Sequence, residues 1–387
     1  MREGWKYKKL KDVASLITDG DWIESRHQSE SGIRLIQTGN VGNGIFKAKD
    51  DKPHYISEDT FLELGCTEIF RGDCLVSRLP EPVGRACIIP EVGCRMITAV
   101  DCTIIRFKDC VLPKLFVYYT RSKQYKREID NSTTGTTRKR ISRKNLESVS
   151  IPLLPVDEQN KIVAELDLLT EIIDKQKQQL KELDTLAQSI FYDMFGSPDA
   201  NEKEWIMKSL AEIGTIVSGS TPSTSDESNW DGDVNWVTPA ELGVQLFYGE
   251  TRRKITSKAA KSLTIMPIGT LLMSSRAPIG KLAITSVPMC CNQGFKNIVC
   301  GNNVNNIYLY YCLMLNINSI KAMGRGATFK EVSKQAVSSF EIMLPPMNLQ
   351  ELFAQKILSI ESQKESINRS LAESQKLFDY TMDKYFG

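Results

Sequence analysis

The chain has 387 residues, 41% hydrophobic and 8% aromatic, and its formal net charge is only +2. That size suits two to three domains, each able to bury a core. No apolar run approaches a membrane span, and the N-terminus, MREGWKYKKLKD, lacks the apolar stretch of a secretory signal, so a cytoplasmic protein without a membrane segment is expected.

The ten cysteines form no C-x-x-C, and His27 and His54 are the only histidines. A zinc site needs about four well-spaced Cys/His ligands. A metal site is therefore not expected. The cysteines read as small core hydrophobes of a reduced compartment. The small net charge conceals a segregation. Residues 1–154 carry 26 basic and 20 acidic side chains, and residues 155–196 carry 4 and 9. Residues 197–345 carry 14 and 12, and residues 346–387 carry 5 and 6. Basic globular parts beside acidic stretches suit a nucleic-acid binder with a separate protein-binding element, although surface variation alone could give the same split.

Trp5 opens the chain, and Leu10, Val13, Ala14 and Ile17 have the spacing of a short amphipathic helix. From Ile33 the pattern changes to strands. IRLIQTGNVGNGIF, FRGDCLVSR (70–78), RACIIP (85–90) and CRMITAVDCTIIRF (94–107) are β-branched runs bounded by Gly, Asn and Pro. The even spacing of Cys94, Cys102 and Cys110 would put them on one face of such strands. LPKLFVYYTRSKQYKREI (112–129) reads as one helix. A basic loop follows, then a short helix and a strand.

The stretch from Ile151 to Gly196 occurs twice. It begins IPLLPVDEQNKIVAELDLL and ends IFYDMFG, and its second copy runs from IMLPPMNLQELFAQKILSI at Ile342 to TMDKYFG at Gly387. The copies align without a gap, which predicts one continuous helix whose length matters. Pro155 and Pro346, each followed four residues later by Gln159 and Gln350, mark the helix starts. Stepping by four and three gives Ile162, Leu166, Leu169, Ile173, Gln176, Leu180, Leu183, Ala187, Ile190 and Met194, nine of them apolar, which is a heptad seam. The second seam runs Phe353, Ile357, Ile360, Lys364, Ile367, Leu371, Ser374, Phe378, Thr381 and Tyr385, and is more polar. Some 38 helical residues span roughly 57 Å. Antiparallel pairing of the two helices would bury both seams.

The region before each helix repeats too. EWIMKSLAEIGTIVSG matches GWKYKKLKDVASLITDG, and VNWVTPAELGVQLF follows IRLIQTGNVGNGIF. IMPIGTLLMSSRAPIGKLAI follows IFRGDCLVSRLPEPVGRACI. One unit of about 190 residues is written twice. The expected fold class is α+β: two mixed α/β globular domains (1–154 and 197–345) separated by a pair of long helices (155–196 and 346–387) that form an antiparallel coiled coil, with a pseudo-two-fold internal repeat.

No catalytic set emerges. There is no P-loop and no G-x-G-x-x-G after a strand. The positive signal lies in polar, basic loops. TTGTTRKRISRK (133–144) combines Gly135, the hydroxyls of Thr136 and Thr137, and the cations Arg138, Lys139, Arg140 and Arg143, groups that can contact phosphate and guanine. Its counterpart contains Arg325, Thr328 and Lys330. Ser77-Arg78 and Ser275-Arg276, each ahead of a Pro-x-Gly turn, form a second matched pair. Those arginines could read a base edge or pair with a carboxylate. Gln293, in Asn292-Gln293-Gly294, could bond a base or only shape a turn.

The order of domain, helix with a Pro-x-x-x-Gln start, domain and second such helix resembles the specificity subunit of type I restriction–modification systems. LLPVDEQNKIVAEL, LPPMNLQELFAQKI, SGSTPS (218–223), SSRAPIGKLAI (274–284), GTTRKRIS and GATFKEVS carry the resemblance over essentially the whole chain. It implies two target-recognition domains, each reading half of a split, asymmetric site in double-stranded DNA. It also implies helices that fix the spacer and dock two methyltransferase (modification) subunits and, through them, a restriction (translocase–nuclease) subunit. S-adenosylmethionine, ATP and magnesium would belong to those partners, and the chain would not be an enzyme. The other reading is a stand-alone coiled-coil DNA-binding scaffold unconnected to methylation.

Overall fold

The computed structural model describes residues 5–135, 139–243, 245–276, 278–326 and 330–387. Thr136, Thr137, Arg138 and Thr328, all expected at a DNA surface, lie outside the described residues. The chain forms two compact units, Met1–Lys177 with Arg369–Gly387, and Gln178–Asn368. The division falls inside the two long helices, Val156–Phe195 and Met347–Phe386. Each unit therefore holds a globular body together with part of both helices.

In the first unit the β-branched runs become strands. Cys102–Phe107 pairs antiparallel with Ala14–Asp19 on one side and Cys74–Ser77 on the other, and Ala86–Ile88 lies beyond. In a second sheet Ile33–Ile36 runs parallel to Met96–Thr98. Cys74, Cys87 and Cys102 are fully buried, and burial pushes the thiols of Cys87 and Cys102 up to about 12. Cys94 and Cys110 do not share their face, because both lie exposed outside the strands. The single helix expected over 112–129 is two, Pro113–Tyr119 and Lys123–Ser132. Ser122 starts the second by accepting the Tyr125 amide at 3.1 Å, the capping geometry that serine favours over a helix interior.

The second unit repeats this order. Lys296–Cys300 pairs antiparallel with Gly214–Ser218 and with Leu271–Met273, which in turn pairs with Leu282–Thr285. Trp230–Val237 runs parallel to Met289–Cys291. In each unit a two-stranded ladder ends just before a long helix: Lys6–Lys9 with Ser150–Leu153, and Met207–Ser209 with Glu341–Met343. Each helix thus leaves its globular body from a hydrogen-bonded strand.

Inside each unit the two helix segments run antiparallel. In the first, Tyr385 donates to Glu165 at 2.5 Å and Gln176 to Ser370 at 2.8 Å. In the second, Lys364 pairs with Asp184 at 2.9 Å, and the Phe353 ring meets Phe191 and Phe195. The heptad seam is buried at Ile162, Leu166, Leu169, Ile173 and Ala187, and half-buried at Leu180 and Leu183. On the second helix Phe353, Ile357, Ile360, Phe378 and Thr381 are buried and Leu371 is half-buried. The ends depart from the expected row. Phe191 and Phe195 are buried where Ile190 and Met194 are only half-buried, and Met382 and Phe386 are buried beside a half-buried Tyr385. A straight helix drifts about 20° per heptad against a seven-residue repeat. Over the last turns the inward face has moved on, and it carries these aromatics into the globular cores.

Candidate nucleic-acid interface

The basic segments are hairpins rather than loops. Thr133–Thr134 pairs with Arg140–Ile141, Thr134 opposite Arg140. In the second unit the Arg325 and Glu331 amides donate to each other's carbonyls at 3.1 and 3.0 Å. Gly135 and Gly326 open the two tips at φ 97° and 126°, the region glycine enters without a Cβ clash. Lys139 and Lys330 close them, both exposed.

Each hairpin's returning strand docks just past the end of an equivalent inner strand, Cys74–Ser77 in the first unit and Leu271–Met273 in the second. The Ile141 amide donates to Arg78 O at 3.2 Å, and the Val332 amide to Ser275 O at 3.0 Å. The Arg78 amide donates to Asp101 O and the Ser275 amide to Gly294 O, at 2.9 and 2.8 Å. Ser275 is therefore the counterpart of Arg78, and matching Ser77-Arg78 with Ser275-Arg276 is one residue out. The reason is loop length. Five residues, Leu79 to Val83, stand before Gly84, but only four, Arg276 to Ile279, stand before Gly280.

The side chains then separate. Arg78 is 5% exposed; it pairs with Asp19 at 3.2 Å and donates to Val100 O at 2.5 Å. Burial holds its pKa below the ordinary arginine value against the opposing pull of Asp19. Of the two roles open to Arg78, carboxylate pairing is the one its geometry serves, and a buried guanidinium presents no fork to a base edge. Arg140 pairs with Asp101 at 2.7 Å, and Arg143 with Glu147 at 3.4 Å one helical turn on. In the second unit Ser275 is buried and its Oγ lies 3.4 Å from Lys296 Nζ, which pairs with Glu331 at 3.2 Å. Arg276 is half-buried. Gln293 is exposed, and its side-chain carbonyl accepts from Thr221 at 2.5 Å.

Three features escape the sequence. Arg85 is buried and donates to Val41, Leu79, Pro80, Pro82 and Thr38 carbonyls, so it clamps the loop after Arg78. Its place after the turn glycine, where Lys281 stands in the repeat, was the available signal. The Lys296–Glu331 pair gave none, being 35 residues apart. Exposed Arg253 lies 3.6 Å over the half-buried Trp230 ring, which meets the buried Trp236 edge-on, a cation–π cluster drawn from two neighbouring strands.

Gln159 and Gln350 face inward, towards their own globular bodies, rather than outward to a partner. Gln159 accepts from the Leu112 amide at 2.8 Å and donates to Cys110 O and Leu154 O at 2.7 and 2.8 Å. Gln350 accepts from the Asn305 amide at 2.8 Å and donates to Pro345 O and Asn303 O at 2.8 and 3.4 Å. A fully buried amide with all its bonds made ties helix to domain at low cost. Pro155 and Pro346, both exposed, accept the first amide bonds of the helices. Among the described residues no group of three or more His, Cys, Asp or Glu could hold a metal ion, and no helix is long and apolar enough to cross a membrane.

The family model for the type I restriction modification DNA specificity domain matches residues 2–185 and again 202–373. The chain is 39% identical to the type I restriction enzyme MjaIX specificity subunit of Methanocaldococcus jannaschii over 158 residues, which are 39% of this chain and 37% of that relative. It is 23% identical to the putative MjaX specificity subunit of the same organism over 384 residues, 93% of this chain and 87% of the relative. In fold it is similar to the type I restriction–modification S subunit from M. genitalium, with a TM-score of 0.62 at 14% identity, covering 100% of this chain and 98% of that one.

Proposed function

We propose that this chain, which belongs to the family of type I restriction modification DNA specificity domains, is the DNA sequence-recognition subunit of a restriction–modification complex. Each globular body reads one half of a bipartite, asymmetric site, and the helices set the spacer. The observation that carries this reading is the duplication: each unit presents a lysine-bearing hairpin tip opened by a glycine, docked at the same end of its sheet by equivalent backbone bonds. Lys139 and Lys330, with Thr136, Thr137, Arg138, Arg325 and Thr328 of the same segments, supply phosphate and base contacts. Arg143, Arg276 and Gln293 flank them.

Exposed apolar residues on the helices, such as Leu168, Ile172, Leu377 and Tyr380, give modification subunits a surface to cover. Two such subunits match the two repeats, and a restriction subunit joins through them. The chain itself contributes recognition and no catalysis; the methyl-donor chemistry belongs to the modification subunits, in the cytoplasm. Family membership favours this over a stand-alone DNA-binding scaffold. Sequencing methylated bases in cells with and without this chain, alongside its modification partner, tests it. A split asymmetric motif that disappears with the chain is expected, and replacing residues 1–154 with another recognition domain changes one half only. Methylation that ignores the chain overturns the reading.

A further inference from the structure

We infer that Arg140–Asp101 and Lys296–Glu331 are latches that seat each hairpin on its sheet, so that Arg140 is a positioning residue acting through Asp101 rather than a DNA contact. This rests on the DNA-recognition reading above. The observation behind it is a reversal of charge at one joint. Arg140 and Glu331 occupy the same place, first on the returning strand of each hairpin, opposite Thr134 and Arg325. In the first unit the hairpin supplies the cation, and Asp101, next to the strand Cys102–Phe107, supplies the anion at 2.7 Å. In the second unit the hairpin supplies the anion, and Lys296, on the equivalent strand, supplies the cation at 3.2 Å.

A phosphate contact at this position would need a positive charge, which Glu331 lacks. A residue whose task is to hold a hairpin needs only an opposite partner. The tip lysines, Lys139 and Lys330, keep their sign in both copies, and the latch position does not. Each pair also stands one residue from the backbone bond that docks its hairpin, Ile141 to Arg78 and Val332 to Ser275. The sheet side is sheltered: the Asp101 side chain is 27% exposed and that of Lys296 10%. Shelter of this kind makes a pair worth more than one fully in solvent.

The test exchanges the charges of the first latch in the full-length chain. Asp101→Lys and Arg140→Glu alone should each speed amide exchange over residues 139–146 and weaken binding to the methylated motif's DNA about five- to tenfold. Combining them, which reproduces the polarity of the second unit, should restore both readouts to within about twofold, with an unchanged salt slope. Arg140→Lys, a milder change that preserves the charge, should retain most of the affinity and guards against misfolding of the reversed variants. A double variant that exchanges slowly at the hairpin yet binds as weakly as Arg140→Glu would overturn the proposal, because Arg140 would then touch DNA itself. A wild-type chain that directs no motif with its modification partner would instead sink the recognition reading, while the exchange measurement still judges the latch.

Discussion

The two hairpin joints share a backbone and differ in their side chains. Every amide bond that docks the first hairpin has an equivalent in the second, within about 0.2 Å. The groups around those bonds are unrelated: Arg78, Asp101 and Arg140 in one, Ser275, Gly294 and Glu331 in the other. Main-chain ladders need no particular side chain, so a duplicated fold can keep its shape while its polar surface diverges. For a protein with two reading heads, that separates the frame from what is read.

The comparison can be broken at several points. The largest effect belongs to the matched aromatic plugs. Phe195 meets Phe191, Tyr308 and Phe353 at 4.9 to 5.4 Å between centroids, whereas Phe386 meets Trp5, Tyr119 and Tyr385 at 5.7 to 6.4 Å. Phe195→Ala should cost the second unit, and Phe386→Ala the first, about 3–5 kcal/mol, with the former the greater. Denaturant-dependent proteolysis mapped to each unit reads this, and losses spread evenly over both would contradict it. Gln159→Leu strands three backbone groups and should destabilise the first unit by about 2–3 kcal/mol. Gln350→Leu should cost the second unit less, since its third bond is 3.4 Å long.

Lys364 sharpens the contrast between the helices. Burial pulls its ammonium pKa down, but the ion pairs with Glu361 and Asp184 outweigh that and hold it above the ordinary 10.5. A pKa raised on folding means the group stabilises the second unit fully below pH 10.5, and the contribution is lost as pH climbs through the raised value. An alkaline stability profile should show that loss in the wild type and lack it in Lys364→Met; identical profiles would remove the ion pairs from the account. The smallest effect is electrostatic. Lys139→Ala and Lys330→Ala should leave stability unchanged and each lower the salt slope of DNA binding by about one. A drop from only one of them would assign phosphate contact to a single hairpin.

Much of the frame was legible because periodicity is local. The gapless repeat, the helix starts at Pro155 and Pro346 and the heptad rows all follow from spacing along the chain. Register was not. Pairing Arg78 with Arg276 fails because the shared Ser-Arg ahead of a Pro-x-Gly turn masks a one-residue difference in turn length, and hydrogen bonds fix which amide meets which carbonyl. An ideal seven-residue step does not lead to Phe191 and Phe195, because over its last turns a real helix turns away from that step. Arg140 and Asp101, or Lys296 and Glu331, are brought together only by folding. A basic run therefore reads along the sequence as a single DNA-binding surface, although it contains both latch and tip.

The first unit is closed by Arg369–Gly387, made after the whole of the second unit. Phe378, Met382 and Phe386 fill a core whose other members lie between Leu10 and Ile173. On the ribosome the second unit, continuous from Gln178 to Asn368, is complete first, while the earlier-made body waits for the final turns of the helix Met347–Phe386. Order of synthesis and order of completion are reversed in this chain. A nascent protein stalled at Asn368 would carry one finished unit and one open core, a state in which protein quality control would find the N-terminal half the more vulnerable.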